Sequence, residues 1–387
     1  MSVPMPPLTL GVEEEYQIID PESRDLHSYI TELLSQDRQR ETRLNLMPEL
    51  MQSQVEVGSH ICRNVKEVRA ELVRLRRAVC SLAAENGVQI AAASTHPFAR
   101  WDKQQITEGI RYKELLDDMQ GVAQRLLIFG MHVHVGFGST PEDKNLMIEV
   151  LNEARYFIPH LLALSTSSPF WQGNYTGLKS YRSVVFEMLP RTGIPHSFSS
   201  WSEYKEYESI LMKVGAFGRK DPVAKIWWDI RPHPRFDTLE FRISDICTTI
   251  DEAVCIAALF QAIVAKLVKL RRQNLSWRHY RQMYITENKW RAMRYGIKGQ
   301  MIDFGMQEER PFHFLMEELL DILEDVVDEL GSRDEVNYLH TILKNGTSAD
   351  RQVRVYRQNG GDDNREEALK AVVDNLVRET KQGLGLD

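Results

Sequence analysis

Three strand-like stretches, far apart in the chain, each set two reactive side chains two residues apart. They are Gly11-Val12-Glu13-Glu14-Glu15, Met131-His132-Val133-His134-Val135 and Thr238-Leu239-Glu240-Phe241-Arg242. Side chains on a β-strand alternate between faces, so Glu13 shares a face with Glu15, His132 with His134, and Glu240 with Arg242. In the second and third stretches the alternate positions are apolar: Met131, Val133 and Val135, then Leu239, Phe241 and Ile243. One face of each strand packs on a core while the other displays carboxylates, imidazoles and a guanidinium. Folding requires none of these polar faces. Gathered in one sheet, they would converge on a concavity suited to metal ions and anions.

Several Glu oxygens with one or two imidazoles make a hard, oxygen-dominated ligand set, better matched to Mg²⁺ or Mn²⁺ than to Zn²⁺. An arginine on the same face as a ligating Glu, as Arg242 is to Glu240, suits neutralisation of a phosphoryl group in transit. Arg231 is a second candidate, in Trp227-Trp228-Asp229-Ile230-Arg231-Pro232-His233-Pro234, where proline stiffens the backbone. Each signal has a plainer reading when taken alone. A lone His-x-His is more often structural than metal-binding, Glu13 and Glu15 could be edge-strand charges, and Arg242 could be an ordinary salt-bridge partner. Glu14 falls on the apolar face of Leu10, Val12, Tyr16 and Ile18, which calls for a structural ion pair or hydrogen bond. The spacing recurs three times, and this recurrence raises the functional reading above the separate structural ones.

The elements that must position these residues can be read from periodicity. The first strand covers about Leu8 to Ile19 and ends at Asp20-Pro21-Glu22-Ser23, and a second extended segment lies near Met51 to Val57. Val65, Val68, Leu72, Leu75, Val79 and Leu82 mark an amphipathic helix over Asn64 to Ala84, closed by Gly87. Helices are also expected over about Glu108 to Phe129, over Pro141 to Leu164 with a bend at Pro159, from Asp251, and over Phe314 to Leu330. Ser165 to Ser200, rich in Gly, Ser, Pro and aromatics, reads as a long functional loop region. With no repeat and no clear linker, 1–387 reads as one α+β domain, with 1–7 and 357–364 as flexible pieces.

The bulk properties narrow the function. A net charge of −7 leaves no basic excess for phosphate backbones, so nucleic acid is not an expected partner. Ala253 to Leu270 is the most apolar stretch, but Gln261, Lys266 and Lys269 interrupt it, so it reads as a buried helix and no membrane partner is expected. Met1 to Pro7 has no signal-peptide pattern, and Cys62, Cys80, Cys247 and Cys255 show no Cys-x-x-Cys spacing. The expectation is a cytoplasmic protein with free thiols. The buried helix and aromatic loops could serve a homodimer or one large core equally well.

At these residues the chain resembles the carboxylate-amine ligase family, the second type of glutamate–cysteine ligase. The matching stretches are Leu10-Gly11-Val12-Glu13-Glu14-Glu15-Tyr16, Ser53-Gln54-Val55-Glu56-Val57, Thr95-His96-Pro97-Phe98, His132-Val133-His134-Val135-Gly136, Ser167-Ser168-Pro169-Phe170, Asp229-Ile230-Arg231-Pro232 and Leu239-Glu240-Phe241-Arg242. They occur in the family's order over roughly residues 8 to 300. The resemblance implies a glutamine-synthetase-like fold: a curved, largely antiparallel sheet with helices on its convex face and ATP and Mg²⁺ (or Mn²⁺) on its concave face. It also implies a reaction in which ATP phosphorylates a substrate carboxylate, nominally the γ-carboxylate of glutamate. An amine, nominally that of cysteine, then displaces phosphate to form an amide, leaving ADP.

Carried over by position, the resemblance makes Glu13, Glu15, Glu56, His132 and Glu240 metal ligands and Arg242 the stabiliser of the phosphoryl group. Arg231 and Arg182 become candidates for a substrate carboxylate or phosphate, and His96 and His134 for the substrate pocket. Where some relatives carry an acidic residue four positions before Glu56, this chain has Gln52; either Glu49, seven residues before Glu56, replaces it or one metal site is weaker. Two other readings remain at this stage. One is a metal-dependent hydrolase using the His-x-His strand, and the other is a non-catalytic ATP-binding regulatory protein.

Overall fold

The computed structural model describes residues 5–39, 44, 46–217 and 225–386. Seven strands form one sheet: β1 (Leu10–Ile19), β2 (Met47–Pro48), β3 (Gln54–Gly58), β4 (Gln89–Ala91), β5 (Met131–Gly136), β6 (Ile230–Pro232) and β7 (Thr238–Phe241). The order is β6-β7-β5-β1-β3-β2, with β4 paired to the far end of β1, and every pairing is antiparallel. The three strands carrying the paired polar residues, β1, β5 and β7, are therefore adjacent at the centre of the sheet.

The apolar side of the sheet is covered by two long helices. Val65–Glu85 is started by Asn64, whose side chain accepts from the Glu67 amide at 3.0 Å, and Gly87 just beyond it takes a φ of +70°. Ile250–Arg272 begins in a capping box between Thr249 and Glu252 and ends with Lys269, Arg271 and Arg272 at the negative pole of its dipole. Val12, Tyr16, Val133, Val135, Leu239 and Phe241 are buried in one core with these helices, and Phe241 stacks on Phe260 at 5.1 Å. Ile250–Arg272 is long and apolar enough to cross a membrane, yet 83% of its most apolar stretch is buried inside the protein. Its lysines reach outward to a second helix, Phe312–Leu330, through Lys266–Asp325 and Lys269–Glu329.

Glu14 resolves as the pattern requires. It is fully buried and paired with Arg76 of the Val65–Glu85 helix, which is also buried and donates to the carbonyls of Thr248 and Cys247 at 2.7 and 2.8 Å. Tyr16 donates to the same carboxylate. The ion pair clamps the strand that carries Glu13 and Glu15 to the helical layer behind it.

The structure corrects several boundaries. The region from Glu108 to Phe129 is helical only over Ile110–Met119 and Gly121–Gln124, because Gln120 takes φ +49° and breaks the run. Pro141–Leu164 is two helices, Pro141–Ala154 and Ile158–Ser165, joined by a 3₁₀ turn at Arg155–Phe157; Pro159 sits in the first turn of the second, where a missing N–H costs nothing. Residues 165–200 contain the short helix Tyr181–Phe186 and small strands as well as loop. The 357–364 stretch contains a 3₁₀ turn, Gly361–Asn364, which Tyr356 approaches through its hydroxyl bond to Asp362. Met1–Pro4 lie outside the described residues. All four cysteines are free and buried.

Candidate active site

Register decides which polar side chains meet. Glu13 of β1 lies directly opposite His132 of β5, and Glu15 lies opposite Glu56 of β3. Glu240 of β7 faces His134 on one side and Arg231 of β6 on the other. Two polar-face positions beside this centre are glycines, Gly11 opposite His134 and Gly58 opposite Glu13.

The first cluster is built on Glu13, His132 and Glu240. Glu13 Oε2 lies 3.0 Å from His132 Nδ1, and His132 Nδ1 is 3.9 Å from Glu240 Oε1. One ligand atom from each of the three lies within 4.8 Å of the others, a spread that one cation with bonds near 2 Å could draw together. His134 Nε2 is 3.5 Å from Glu13 Oε1, and its Nδ1 meets Thr238 Oγ1 at 3.1 Å. Burial, reinforced by the Arg242 charge, pushes the His132 imidazole down to about 4, so it is neutral and able to serve as a ligand near pH 7. Burial opposes ionisation of Glu13 and Glu240. The histidines outweigh it at Glu13, and Arg231 and Arg242 outweigh it at Glu240, so both carboxyls are held below their usual range.

The second cluster is Glu15, Glu49 and Glu56. Burial first, and the Glu49 charge second, lift the Glu15 carboxyl to about 7, although it accepts the Gly130 amide at 2.7 Å. Burial together with Glu49, Glu13 and Glu15 raises Glu56 well above the usual range, and Glu49 and Glu56 are hydrogen-bonded to each other. Carboxyls that must take up protons to coexist mark a place where a divalent cation would substitute for those protons. The ligand atoms of Glu13, His132 and Glu240 therefore fit a metal, while Glu15, Glu49 and Glu56 form a set of crowded carboxyls beside them. Glu49 arrives here from the segment before β3. Gln52 turns away, its side chain donating to the Ile106 carbonyl at 3.2 Å.

The three arginines differ in what they leave free. Arg231 donates to Glu240 Oε2 at 2.6 Å and to the Ile226 carbonyl, and is 5% exposed, so it orients Glu240 and has little left for a substrate. Arg182 donates to the carbonyls of Ile243 and Arg242 at 3.0 and 3.2 Å, which fixes the backbone under Arg242. Arg242 also bonds Glu240, but its buried Nε has no partner among the described residues, and neither has the buried Nε of Arg182, so both keep a donor in reserve. In this arrangement Arg231 orients Glu240 and Arg182 supports the backbone beside Arg242. At His96, Nδ1 accepts from the amides of Phe98 and Ala99 and Nε2 meets the Arg24 carbonyl at 2.9 Å, so both ring nitrogens are committed to loop backbone.

Sequence reasoning passed over Asp245. Its carboxylate takes the Ser167 amide at 2.8 Å and the hydroxyls of Ser168 and Ser180 at 2.7 and 2.8 Å, tying the Ser165–Ser200 region to the strand that carries Arg242. A carboxylate inside the apolar run Ile243 to Cys247 was the available signal. Asp229 was overlooked in the same way. It is buried against Lys289 at 2.7 Å, and its carbonyl accepts the Arg242 amide at 2.8 Å.

An antiparallel sheet with helices behind it and a carboxylate-, imidazole- and guanidinium-bearing face defines a mixed α+β enzyme scaffold. The model of glutamate–cysteine ligase family 2 matches residues 9–375, and the chain belongs to that family, whose members are ligases forming carbon–nitrogen bonds. It is 54% identical over 381 residues to "Putative glutamate--cysteine ligase 2" of Herpetosiphon aurantiacus, covering 98% of this chain and 95% of that one. A protein of the same description from Solibacter usitatus is 47% identical, with 99% and 96% covered. Among solved structures, a glutamate–cysteine ligase from Francisella tularensis in complex with AMP superposes with a TM-score of 0.64 at 14% identity, covering 99% of this chain and 94% of that one. A bifunctional glutathione synthetase from Pasteurella multocida gives 0.68 at 14% identity, over 97% of this chain and 53% of that one. At these identities the two structures speak for the fold.

Proposed function

We propose that the protein is an ATP-dependent carboxylate–amine ligase with glutamate and cysteine as its nominal pair, giving γ-glutamylcysteine, ADP and phosphate. The observation that carries this reading is the convergence, on one sheet face, of the Glu13–His132–Glu240 group and a second set of crowded carboxyls beside two arginines with uncommitted buried donors. A single-site hydrolase needs only one such cluster. Glu13, His132 and Glu240 would hold one Mg²⁺ ion, and Glu15, Glu49 and Glu56 a second. Bound there, the metal ions would offset charge on the ATP phosphates and on the phosphoryl group in transfer.

The chain's own residues do the remaining work. Arg242 is positioned by Glu240, by Arg182 beneath its carbonyl and by Asp229 at its amide, and it directs its guanidinium to the charge that develops on the transferred group. Arg231 keeps Glu240 ionised and oriented. A carboxylate has about four lone-pair sites, so Glu240 accepts both guanidiniums and still has room for a further partner.

The test is ADP release from ATP with glutamate and Mg²⁺ across a panel of amines that includes cysteine, with the amide product read by mass spectrometry. Amine-dependent ADP release with matching amide, lost in Glu240→Gln and Arg242→Ala, supports the ligase and identifies the acceptor. ATP binding with no turnover for any pair would move the reading to a regulatory protein, and ATP-independent cleavage to a hydrolase.

A further inference from the structure

The β6–β7 hairpin brings a further histidine, His233, to the rim of the carboxylate face. Its amide bonds the Thr238 carbonyl at 2.9 Å, and alternation from Arg231 puts its side chain on the face that carries Thr238 and Glu240. The ring stands edge-on to His134 with centroids 5.2 Å apart, and Phe236 stacks on it at 4.4 Å and 12°. The loop that returns Phe236 to this position is pinned at Asp237. Its carbonyl accepts the Phe137 amide at 2.9 Å, and its carboxylate pairs with Lys144.

The hairpin also fixes which nitrogen of His233 carries the proton. Nδ1 accepts the amides of Arg235 and Phe236 at 3.2 and 2.9 Å, and a nitrogen that accepts backbone N–H groups has no proton of its own. Burial outweighs the pull of Glu240 and pushes the imidazole down to about 4, so the ring is neutral near pH 7 and its one proton sits on Nε2. That N–H has no partner among the described residues. Unlike the unpaired Nε2 of His134, it is not sealed from solvent, so a ligand can reach it.

Register gives this donor a direction. Arg231 lies opposite Glu240, so His233 stands two residues beyond that pair toward one end of the strands, and Arg242 two residues beyond it toward the other. At about 3.3 Å per residue the two positions are roughly 13 Å apart. Arg242 and Arg182, the guanidiniums with a donor in reserve, both act on Glu15 at the Arg242 end. A nucleotide whose transferred phosphoryl lies there and whose phosphates cross Glu13, His132 and Glu240 extends toward His233. Those carboxylates would repel a bare anion, so the donor suits a phosphate that arrives with its cation.

We propose that His233 donates its Nε2–H to an oxygen of the phosphates that leave as ADP, with Phe236 positioning the ring for that bond. This role rests on the ligase reading, which supplies the nucleotide.

The experiment is calorimetric titration of the full chain, in millimolar Mg²⁺, with ADP and with a non-hydrolysable ATP analogue. His233→Asn keeps an oxygen able to accept the two amides and removes the Nε2–H, whereas His233→Gln places an amide N–H near the Nε2 position. His233→Asn should weaken both nucleotides about tenfold, and His233→Gln by less than about threefold. In ¹⁵N spectra the protonated Nε2 of His233 should shift on addition of ADP with Mg²⁺. Wild-type affinity in His233→Asn, a loss confined to the ATP analogue, equal losses in the two variants, or an unmoved Nε2 resonance overturns this role and leaves the ligase reading standing. A wild-type protein that binds neither nucleotide overturns both.

Discussion

Arg76→Met tests whether the strand bearing Glu13 and Glu15 is held from behind by a buried charge pair. In the native protein Arg76 and Glu14 are both fully buried, and the guanidinium makes bonds to Glu14, Thr248 and Cys247. Methionine replaces the aliphatic stem but not the charge, so Glu14 is left as an uncompensated carboxylate in the core. Breaking one side of a buried pair costs roughly 3–5 kcal/mol, and the two orphaned carbonyls place this case toward the upper end. With a urea m-value of about 3 kcal/mol/M, the unfolding midpoint should fall by more than roughly 1 M. Adding Glu14→Gln to Arg76→Met removes the stranded charge and should return about 2 kcal/mol. Chemical denaturation followed by far-ultraviolet circular dichroism measures all three proteins. A midpoint shift below about 0.3 M for Arg76→Met, or a double variant less stable than the single one, would refute the argument that this pair anchors β1.

Other predictions concern the sheet face. A Cβ at Gly130 would stand 2.5 Å from Arg182 Nη2 and disturb the amide that holds Glu15, so Gly130→Ala should cost about 1–3 kcal/mol and lower ligase turnover at least tenfold, measured by denaturation and ADP release. Glu15 has a folded-state carboxyl raised to about 7 above its ordinary range near 4.5, so its contribution to stability is complete below about 4.5 and is lost as pH rises through 7. Thermal melts of metal-free protein between pH 5 and 8 should show that loss, Glu49→Gln should lessen it, and millimolar Mg²⁺ should reverse it; a flat profile counts against the second carboxylate cluster. Thr238→Val removes the hydroxyl at His134 Nδ1 and should alter the ring's tautomer in ¹⁵N spectra and reduce activity about tenfold. His96→Asn should destabilise the loop without changing the KM for either substrate, because neither ring nitrogen is free to meet one.

What the sequence determined by itself was the local pattern. Alternation along β1, β5 and β7 assigned Glu13, Glu15, His132, His134, Glu240 and Arg242 to polar faces, and the one polar residue on the wrong face, Glu14, announced a buried partner without naming it. Helical periodicity located the Val65–Glu85 and Ile250–Arg272 helices to within a few residues, because their burial reinforces the pattern that propensity alone leaves ambiguous. Between Glu108 and Phe129 no such reinforcement was legible, and the run broke at Gln120 where a single backbone angle turned positive; across Arg155–Phe157 the chain tightened into a 3₁₀ turn without leaving the helical region.

Tertiary structure decided everything that depends on which strands are neighbours. Antiparallel register set Glu13 against His132 and Glu15 against Glu56, and it brought Arg231 onto Glu240. It thereby gave Arg231 a positioning contact on Glu240. Arg76, Asp245 and Asp229 gained side-chain partners across 60 positions of chain or more, such as Arg76 to Glu14 and Lys289 to Asp229. The physical reason is that an alternating strand fixes which face a side chain occupies, whereas the pairing of charges is fixed by register and by what packs behind the sheet, and neither is written in any one segment.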